Sequence, residues 1–351
     1  MKILQAIAGA PYGGAENFFV RLAIALERAG VEQKVCIRAN PKRKQDLIDG
    51  GVDLIELPYG GRFDFMTKRN LKKVIKKFQP DVVLTWMNRA TRLGFKVKKD
   101  KFIHIGRLGG YYDLKYYKYC DRLIGNTQRI VDYLTGEGWE NNKVDYLPNF
   151  AKAKNSPPLQ RDAYFTPSKA PLIVAMGRFH ENKGFDVLLR SLIFVPGAYL
   201  WLAGEGPLRV ELEALAEKIG VKPRLRFVGW HEDISALLRS ADLFVCPSRH
   251  EPLGNVIIEA WAHKIPVIAS DSDGPGALID HLVSGVLVPV DNDEILGKAI
   301  RNLMVDQRLR DRIVQNGYQR YEESFTEEIV TQKYINFFKK AIRQCVESQE
   351  S

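Results

Sequence analysis

The chain has 351 residues, 45% of them hydrophobic and 27% charged, which suffices for a sizeable core and excludes a disordered or fibrous protein. Its formal net charge of +10 is unevenly distributed, because residues 1–150 carry 27 Lys and Arg against 16 Asp and Glu, whereas residues 151–351 carry 25 against 26. The basic first half therefore indicates an anionic partner, for which a membrane, a phosphorylated substrate and nucleic acid are the candidates.

Cysteine usage and hydropathy limit where the protein can work. The four cysteines are far apart and form no CxxC pair, so a reducing, cytoplasmic setting is expected rather than a disulfide framework or a zinc knuckle. The opening MKILQAIAGA is similar to a weak signal peptide, but its short apolar run and the amphipathic segment after it favour a first buried strand. No run approaches the roughly 18 apolar residues of a membrane span.

Over residues 1–150, short apolar runs alternate with helical patterns. The runs typical of strands are KILQAIA, KVCIRAN, DVVLTW, KFIHIG and DRLIGNT. Strands that alternate with helices predict a parallel sheet covered on both faces. This segment is therefore expected to form one Rossmann-like α/β domain.

The pattern stops between Asn149 and Pro171, where a proline-rich stretch predicts a linker over residues 151–170. It resumes over residues 171–325 with runs such as PLIVAMG, AYLWLAG and LFVCPS, which predict a second parallel α/β domain. Ser324 and Glu327 fit a capping box that opens a last helix. That helix, assigned to residues 326–351, is expected to pack back on the first domain.

The segment EPLGNVIIE, from Glu251 to Glu259, carries the strongest functional signal. A helix that begins near Asn255 would leave Glu251 in the preceding loop and Glu259 one turn inside, so both carboxylates can face a ligand outside the strand ends. The backbone N–H groups of Leu253, Gly254 and Asn255 would suit phosphate or sugar oxygens. The plain alternative is a solvated helix start.

The segment MGRFHENKG places Arg178 and Lys183 in a turn between a strand and a helix. Two cations at the end of a strand can bind a diphosphate and stabilise the charge that develops as its bond to a sugar breaks. They would take the place of a metal ion. By themselves they are equally consistent with a solvated surface pair.

A third candidate is the glycine-rich segment GAPYGGAE after the first strand. Gly9, Gly13 and Gly14 would let the backbone approach a ligand at the start of the next helix. The spacing is not G-x-G-x-x-G, and the second strand lacks the acidic residue that holds an adenosine ribose. A nicotinamide or flavin enzyme is therefore disfavoured.

Metal binding has little support in the sequence. The pairs Asp271 with Asp273 and Asp291 with Asp293 resemble the Asp-x-Asp carboxylates that hold divalent cations, but such triplets arise easily in acidic turns. The six histidines show no ligand spacing, and neither a P-loop nor a Ser/His/Asp pattern is present. We expect no metal site.

Residues 65–78, FMTKRNLKKVIKKF, predict an amphipathic helix with an apolar stripe and a basic face. The stripe suits packing on a sheet. The basic face suits reversible attachment to an anionic membrane or, more simply, solvation. The six cations of that face are Lys68, Arg69, Lys72, Lys73, Lys76 and Lys77.

Taken together, these motifs resemble those of the family 4 retaining glycosyltransferases, which have the GT-B fold. The matching segments GGAE, GR followed by KG, GEGP, FVGW, EPLGNVIIE and GVLVPVDN span almost the whole chain in the expected order. The resemblance implies two Rossmann-like domains that face a central cleft. It assigns Gly13 and Gly14 to the donor, Arg178 and Lys183 to its diphosphate, Glu251 to its sugar and Glu259 to its ribose.

One feature departs from the family pattern. Family members often place a histidine near the transferred sugar, after a strand of the first domain, where this chain reads FIHIGRLGGYY. Either His104 or Arg107 could fill that position, and Arg107, followed by Gly109 and Gly110, matches the loop better. Together with one of these two, Arg178, Lys183 and Glu251 are the expected catalytic residues.

The resemblance implies transfer of a hexose from a UDP- or GDP-linked sugar to a hydroxyl group, with retention and without a cofactor. Residues 171–325 would hold the donor, and residues 1–150 a glycan or lipid-linked acceptor such as a lipopolysaccharide core, at the inner face of the cell membrane. A sugar-nucleotide epimerase of the same fold is one alternative. A basic nucleic-acid-binding protein is another, disfavoured because aromatic platforms are not interleaved with the charge.

Overall fold

The structure, a computed structural model, describes residues 1–11, 13–60, 64–95, 102–231 and 233–350. The chain divides into two units. The N-terminal unit consists of Met1–Phe150 and Glu327–Ser351, and the C-terminal unit of Ala151–Thr326. The chain thus leaves the N-terminal unit after residue 150 and returns to it for its last segment.

The N-terminal unit is built on a parallel sheet. Its strands in the described residues are β1 (Lys2–Ile7), β2 (Glu32–Arg38), β3 (Leu54–Leu57), β4 (Val82–Trp86), β5 (Ile103–Leu108), β6 (Arg122–Gly125) and β7 (Val144–Tyr146). Their order across the sheet is β3-β2-β1-β4-β5-β6-β7. The order reverses between β1 and β4, which makes this the topological switch point of the sheet.

Helices cover both faces of this sheet, as the near-continuous apolar strands require. Those before residue 150 are α1 (Gly14–Arg28), α2 (Pro41–Asp49), α3 (Phe65–Phe78), α4 (Met87–Phe95) and α5 (Gln128–Gly136). Helix α1 packs Phe19 and Leu22 on one face. Helix α3 packs Leu71 and Ile75 on the other.

The C-terminal unit repeats this plan. Its strands in the described residues are β8 (Leu172–Met176), β9 (Tyr199–Ala203), β10 (Leu225–Gly229), β11 (Leu243–Cys246), β12 (Val267–Ser270) and β13 (Val286–Val288). All the pairings are parallel, in the order β10-β9-β8-β11-β12-β13. The switch point lies between β8 and β11. The helices are α6 (Phe185–Ser191), α7 (Arg209–Lys218), α8 (Ile234–Arg239), α9 (Asn255–Ala262), α10 (Asp273–Leu278), α11 (Asp293–Val305) and α12 (Gln307–Ser324).

Residues 151–170 lie within the C-terminal unit. The segment is irregular except for a short 3₁₀ turn at Asp162–Tyr164. Arg161 donates a hydrogen bond of 3.0 Å to the Asp242 carboxylate, and the Trp201 indole donates one of 2.9 Å to Thr166. These bonds attach the segment to the C-terminal sheet, at the residue before β11 and at the middle of β9.

The last helix, α13 (Glu327–Glu350), belongs to the N-terminal unit, where it contacts α1 and β5. Tyr334 and Phe338 enter the core cluster beneath α1. The predicted capping box was wrong, because α12 continues through Ser324 and the buried Phe325 fills the junction before α13. Across the described ranges, every helix lacks the combination of length and hydropathy that a membrane span requires.

Candidate functional site

The two strongest sequence motifs follow the two strands at the switch point of the C-terminal sheet. Arg178 and Lys183 lie in the loop after β8, and Glu251 lies in the loop after β11. Parallel strands end at one edge of a sheet, and this edge at a switch point is where open α/β sheets bind ligands. The topology therefore brings both motifs to the expected ligand-binding edge of this unit.

Lys183 and Glu251 form an ion pair across this switch point. The Lys183 ammonium donates to Oε2 of Glu251, while Oε1 accepts a hydrogen bond of 3.3 Å from the Gly254 backbone N–H. Burial acts to lower the pKa of Lys183, but the Glu251 carboxylate outweighs it and raises the pKa above its usual value. Lys183 thus stays cationic, with ammonium hydrogens left for a further acceptor.

The other predicted residues of this unit differ in exposure. Arg178 is exposed and forms no ion pair with any residue that the structure describes. Helix α9 begins at Asn255, as predicted, after Gly254 in a left-handed conformation with φ of 80°. Leu253 is buried in the loop, and Glu259 is buried inside the helix. The structure therefore joins Lys183, Glu251 and Gly254 directly and leaves Arg178 open to solvent.

Arg249, which the sequence analysis did not single out, fastens the two loops together. Its guanidinium donates two hydrogen bonds of 2.8 Å to the Asp186 carboxylate and one of 2.8 Å to the Glu181 backbone oxygen. Burial would raise the pKa of Asp186, but hydrogen bonds from Arg249 and Arg190 hold it below its usual value. The one feature of the sequence that could have identified Arg249 as part of the site is its position two residues before Glu251.

Glycines allow the loops of this edge to touch through their backbones. A Cβ added at Gly184, which has φ of 61°, would lie 2.1 Å from the Pro247 carbonyl oxygen. One added at Gly204 in the GEGP segment would lie 2.0 Å from the Gly177 carbonyl oxygen. Real Cβ atoms do not approach so closely, so these glycines set the spacing of the loops after β8, β9 and β11.

The acidic pairs considered for metal binding are dispersed. Asp271 is exposed after β12, and Asp273 begins α10. Asp291 accepts a hydrogen bond of 2.5 Å from Arg249. In the part of the chain that the structure describes, no group of three or more His, Cys, Asp or Glu side chains is arranged to hold a metal ion.

In the N-terminal unit, the glycine segment wraps around Glu16, the first acidic residue of α1. The buried Glu16 carboxylate accepts a hydrogen bond of 2.7 Å from the Ala10 backbone N–H. Cβ atoms added at Gly9 and Gly13 would lie 2.5 Å and 2.2 Å from atoms of this side chain. These two glycines thus make room for Glu16, and the exposed Gly14 starts the helix. Residue 12 of the segment lies outside the described residues.

His104 and Arg107 lie on opposite faces of β5, and both are buried inside the N-terminal unit. The His104 ring lies 2.9 Å from the Thr85 hydroxyl. Arg107 is 1% exposed, donates a hydrogen bond of 2.8 Å to the Tyr334 hydroxyl of α13, and lies 4.3 Å from the centroid of the Trp86 ring. A group that acts on a substrate must contact it, so this burial weighs against either side chain in that role.

The sequence matches two glycosyltransferase families, one over each half of the chain. Residues 12–154 match the family described as Glycosyltransferase Family 4, and residues 158–320 match Glycosyl transferases group 1. The chain is 36% identical to the lipopolysaccharide core biosynthesis glycosyltransferase LpsD of Rhizobium meliloti, over 97% of this chain and 99% of LpsD.

Solved structures agree with this relationship at the level of the fold. A glycosyltransferase from Rickettsia africae, 19% identical, superposes with a TM-score of 0.86 over 97% of this chain and 98% of its own. The Anabaena protein HepE in complex with UDP and glucose, also 19% identical, gives 0.85 over 97% of this chain and 100% of its own. With its two parallel α/β units of GT-B type, the chain is a glycosyltransferase and belongs to family 4.

Proposed function

We propose that the protein transfers a hexose from a nucleoside diphosphate sugar to a hydroxyl group of a glycan or lipid-linked acceptor, with retention at the anomeric carbon. The observation that carries this proposal is the Lys183–Glu251 ion pair at the switch point of the C-terminal sheet, with the exposed Arg178 in the same loop as Lys183. An arrangement of two cations and one carboxylate suits a ligand that carries both a diphosphate and a sugar.

Each residue of the site has a defined part in this proposal. Arg178 and Lys183 bind the diphosphate, and their charge stabilises the negative charge that develops on it as the bond to the sugar breaks. Glu251 holds the hydroxyls of the donor sugar while it orients Lys183. Backbone N–H groups at the start of α9 bind phosphate or sugar oxygens. Leu253 and Asn255 contribute these N–H groups, because the Gly254 N–H already donates to Glu251 and acts by holding that carboxylate. Glu259 is placed on the ribose, and Gly13 and Gly14 are placed near the donor.

The reaction needs no side chain as nucleophile. The bond between the anomeric carbon and the phosphate oxygen breaks, and the acceptor oxygen bonds to the same face of that carbon. The acceptor proton passes to an oxygen of the leaving diphosphate. Arg178 and Lys183 can supply the charge stabilisation that a divalent cation supplies elsewhere.

The acceptor is proposed to be a lipopolysaccharide core, and the donor a UDP- or GDP-linked hexose. The support for the acceptor is the near full-length similarity to LpsD, a lipopolysaccharide core biosynthesis enzyme by name. The support for the donor is the likeness to HepE, whose structure contains UDP and glucose. The proposed place of action is the inner face of the cell membrane.

A membrane-facing role is further supported by α3. Its buried residues are Thr67, Leu71 and Ile75, while most of its basic side chains are exposed. Phe65 and Met66 at its start are 74% and 66% exposed. A basic face next to exposed apolar side chains suits the surface of an anionic bilayer.

A thermal-shift series with UDP-, GDP- and ADP-sugars tests the donor proposal. A ligand that binds the folded state raises the apparent Tm, and the base that gives the largest shift identifies the donor class. Incubation with and without an acceptor then separates transfer from epimerisation, and NMR of the product gives the anomeric configuration. Absence of a shift with any sugar nucleotide, or an inverted product, would contradict the proposal.

A further inference from the structure

A cavity at the amino edge of the C-terminal sheet has no part in the site described above. Its volume is about 410 Å³, and it lies where β8, β11 and β12 begin, with Pro171, Asp242 and Pro266 among its lining residues. Other lining residues come from the end of α11 and the start of α12. A cavity of this volume can hold one small molecule.

The cavity and the Lys183–Glu251 pair lie at opposite ends of the same strands. Lys183 follows the end of β8 and Glu251 follows the end of β11, whereas the cavity is lined by residues at the starts of these strands. Strands of four or five residues, at about 3.3 Å per residue, separate the two edges by roughly 15 Å. A single phosphate group cannot contact both places, so a ligand of the cavity binds separately from the donor.

Cations outnumber carboxylates in the wall of the cavity. Among the lining residues that the structure describes, Arg161, Lys169 and Arg310 are basic, and Asp242 alone is acidic. That carboxylate is already engaged, since its Oδ2 accepts hydrogen bonds of 3.0 Å from Arg161 and 2.8 Å from the Leu172 backbone N–H. Lys169 and Arg310 therefore leave two positive charges uncompensated in the wall.

Both of these side chains have hydrogens left for a ligand. The guanidinium of Arg310 donates a hydrogen bond of 3.0 Å to the Met304 backbone oxygen and another to the Gln307 side-chain oxygen, and both acceptors are neutral. Three of its five N–H hydrogens have no acceptor in the described ranges. Lys169 is exposed and forms no ion pair with any residue that the structure describes. Arginine can bind two phosphate oxygens at once, and lysine can bind a third.

The remaining side chains of the wall are largely apolar. Leu243 and Leu303 are buried, and Met304 is partly exposed. Methionine adapts its shape to what it contacts. Apolar side chains together with two cations suit an anion that also carries a hydrocarbon group.

From these observations we propose that the cavity binds a small organic phosphate, with Arg310 and Lys169 on the phosphate and the apolar side chains against its carbon skeleton. A phosphomonoester fits the charge of the wall, because it carries close to two negative charges at neutral pH and the wall has two uncompensated cations. A carboxylate would offset only one of them. The inference does not depend on the proposed function, since the cavity shares no residue with the proposed donor site.

Methyl NMR of the full chain tests the cavity, because two of the five methionines report on the two edges of the sheet. Met304 lines the cavity, and Met176 is the last residue of β8, directly before the loop that carries Lys183. The methionine methyls are labelled with ¹³C, and the two resonances are assigned with Met304→Leu and Met176→Leu. The probe is phenyl phosphate, and phenol is the matched probe without the anion.

We expect phenyl phosphate to shift the Met304 methyl resonance saturably and phenol to leave it unchanged. Lys169→Gln and Arg310→Gln should each weaken this binding about ten-fold, the scale for the loss of one hydrogen bond to a charged group. The matched controls Lys218→Gln and Arg308→Gln, both exposed and outside the cavity, should bind like the unaltered chain. Lys169→Gln removes no ion pair among the described residues, so its fold should be retained even if Arg310→Gln is unstable.

No saturable shift of the Met304 methyl, an equal response to phenol, or an affinity that neither variant changes would overturn the site. Loss of the Met304 shift in Lys183→Ala would place the anion at the carboxyl edge and would overturn it as well. A failure of the proposed function gives a different result. In that case UDP-sugars shift neither the Met176 methyl nor the Tm, while phenyl phosphate still shifts the Met304 methyl.

Discussion

At the scale of single residues, the Lys183–Glu251 pair differs from an ordinary surface ion pair. Both side chains are partly buried, and the pair spans two loops at a strand edge, where an ion pair adds little to stability because desolvation offsets the attraction. Ionisable groups that are held in this way at a ligand-binding edge are typical of functional sites. An ammonium has three hydrogens to donate, so Lys183 can bind a diphosphate while it keeps its ion pair with Glu251.

The two cations can be separated by experiment. We expect Arg178→Ala and Lys183→Ala each to lower kcat by roughly 100-fold, the scale for the loss of one donor that stabilises transition-state charge. The Tm should distinguish the two variants, because Arg178 has no ion pair to lose within the described ranges, whereas Lys183→Ala leaves Glu251 without its cation. Measuring turnover and Tm of both variants shows whether each cation contributes to catalysis, to stability or to both. Alanine at the exposed Lys218 is the control. Unchanged turnover in both would remove them from the site.

Chelation with EDTA tests whether Arg178 and Lys183 stabilise the leaving diphosphate without a divalent metal ion. We expect transfer to continue in excess EDTA, since Arg178 and Lys183 neutralise the leaving diphosphate. Initial rates with and without EDTA, followed by addition of Mn²⁺ or Mg²⁺, are the measurement. Activity that is lost to EDTA and restored by Mn²⁺ would instead implicate the carboxylates of Asp271 and Asp273.

Some residues of the site could be predicted from the sequence and others could not. Arg178, Lys183 and Glu251 follow apolar strands directly, so strand recognition and the rule for parallel sheets were enough to place them at one edge. The burial of His104 and Arg107 could not be predicted. Strand β5 is buried on both faces, so alternation gives no signal, and α13, which supplies the Tyr334 hydroxyl to Arg107, lies more than 200 residues away in sequence.

At the scale of elements, the loops after β8 and β11 pack directly against each other through their backbones. Gly184 and Gly197 are both left-handed, with φ of 61° and 82°, but a Cβ at Gly184 meets the Pro247 oxygen whereas one at Gly197 meets nothing within 4 Å. Alanine at Gly197 should therefore cost only the left-handed strain, about 1–2 kcal/mol.

Alanine at Gly184 should lower the free energy of unfolding further than this, and it should weaken donor binding by moving the loop that carries Lys183 away from Glu251. Urea unfolding and UDP-sugar titration of the two variants test this. If Gly184→Ala and Gly197→Ala lose the same stability and bind the donor equally well, the backbone contact does not hold the site.

The Asp186–Arg249 pair makes this element sensitive to acid. The pKa of Asp186 is lowered in the folded state, so its contribution to stability is present above the ordinary value of 3.8 and is lost as the pH falls through the folded pKa. The difference in free energy of unfolding between the unaltered chain and Asp186→Asn should therefore be constant from about pH 5 to 8 and shrink below about pH 4. A difference that does not change down to about pH 3 would contradict this role.

The boundaries of α9 and α12 show which helix ends can be predicted from the local sequence and which cannot. Helix α9 begins at the predicted Asn255, because the preceding Gly254 adopts the left-handed conformation that interrupts the chain before it. The end of α12 was missed because Ser324 and Glu327 have the spacing of a capping box while the helix before them continues. Phe325, buried against Trp261 with ring centroids 6.2 Å apart, fixes the junction, and such a long-range contact leaves no local trace.

At the scale of the whole molecule, part of the charge asymmetry between the two halves of the sequence can be assigned to one helix. The excess of basic residues in the first half is concentrated in part on α3, whose basic side chains project away from its buried stripe. Exposed lysines near an anionic bilayer contribute about 1 kcal/mol each, so a cluster of them can hold a protein reversibly on a membrane. Exposed Phe65 and Met66 add apolar area at the start of the same helix.

We therefore expect the protein to co-sediment with vesicles that contain phosphatidylglycerol, and to detach as salt rises, because screening shortens the field to about 10 Å at 0.1 M. Neutral vesicles should bind little. A quadruple α3 variant should lose binding to anionic vesicles and activity on a lipid-linked acceptor while it keeps UDP-sugar binding, since the apolar stripe of the helix is intact. The variant replaces with glutamine the exposed residues Lys72, Lys73, Lys76 and Lys77.

A control with the same net charge separates a local surface from a general effect of charge. Four exposed lysines of the C-terminal unit serve for this, and their replacement should leave sedimentation unchanged if α3 is the contact. Undiminished sedimentation of the α3 variant would place the membrane contact elsewhere. If the unaltered chain does not sediment at all, the basic surface of the N-terminal unit serves a soluble anionic acceptor instead. The control replaces with glutamine Lys152, Lys154, Lys169 and Lys218.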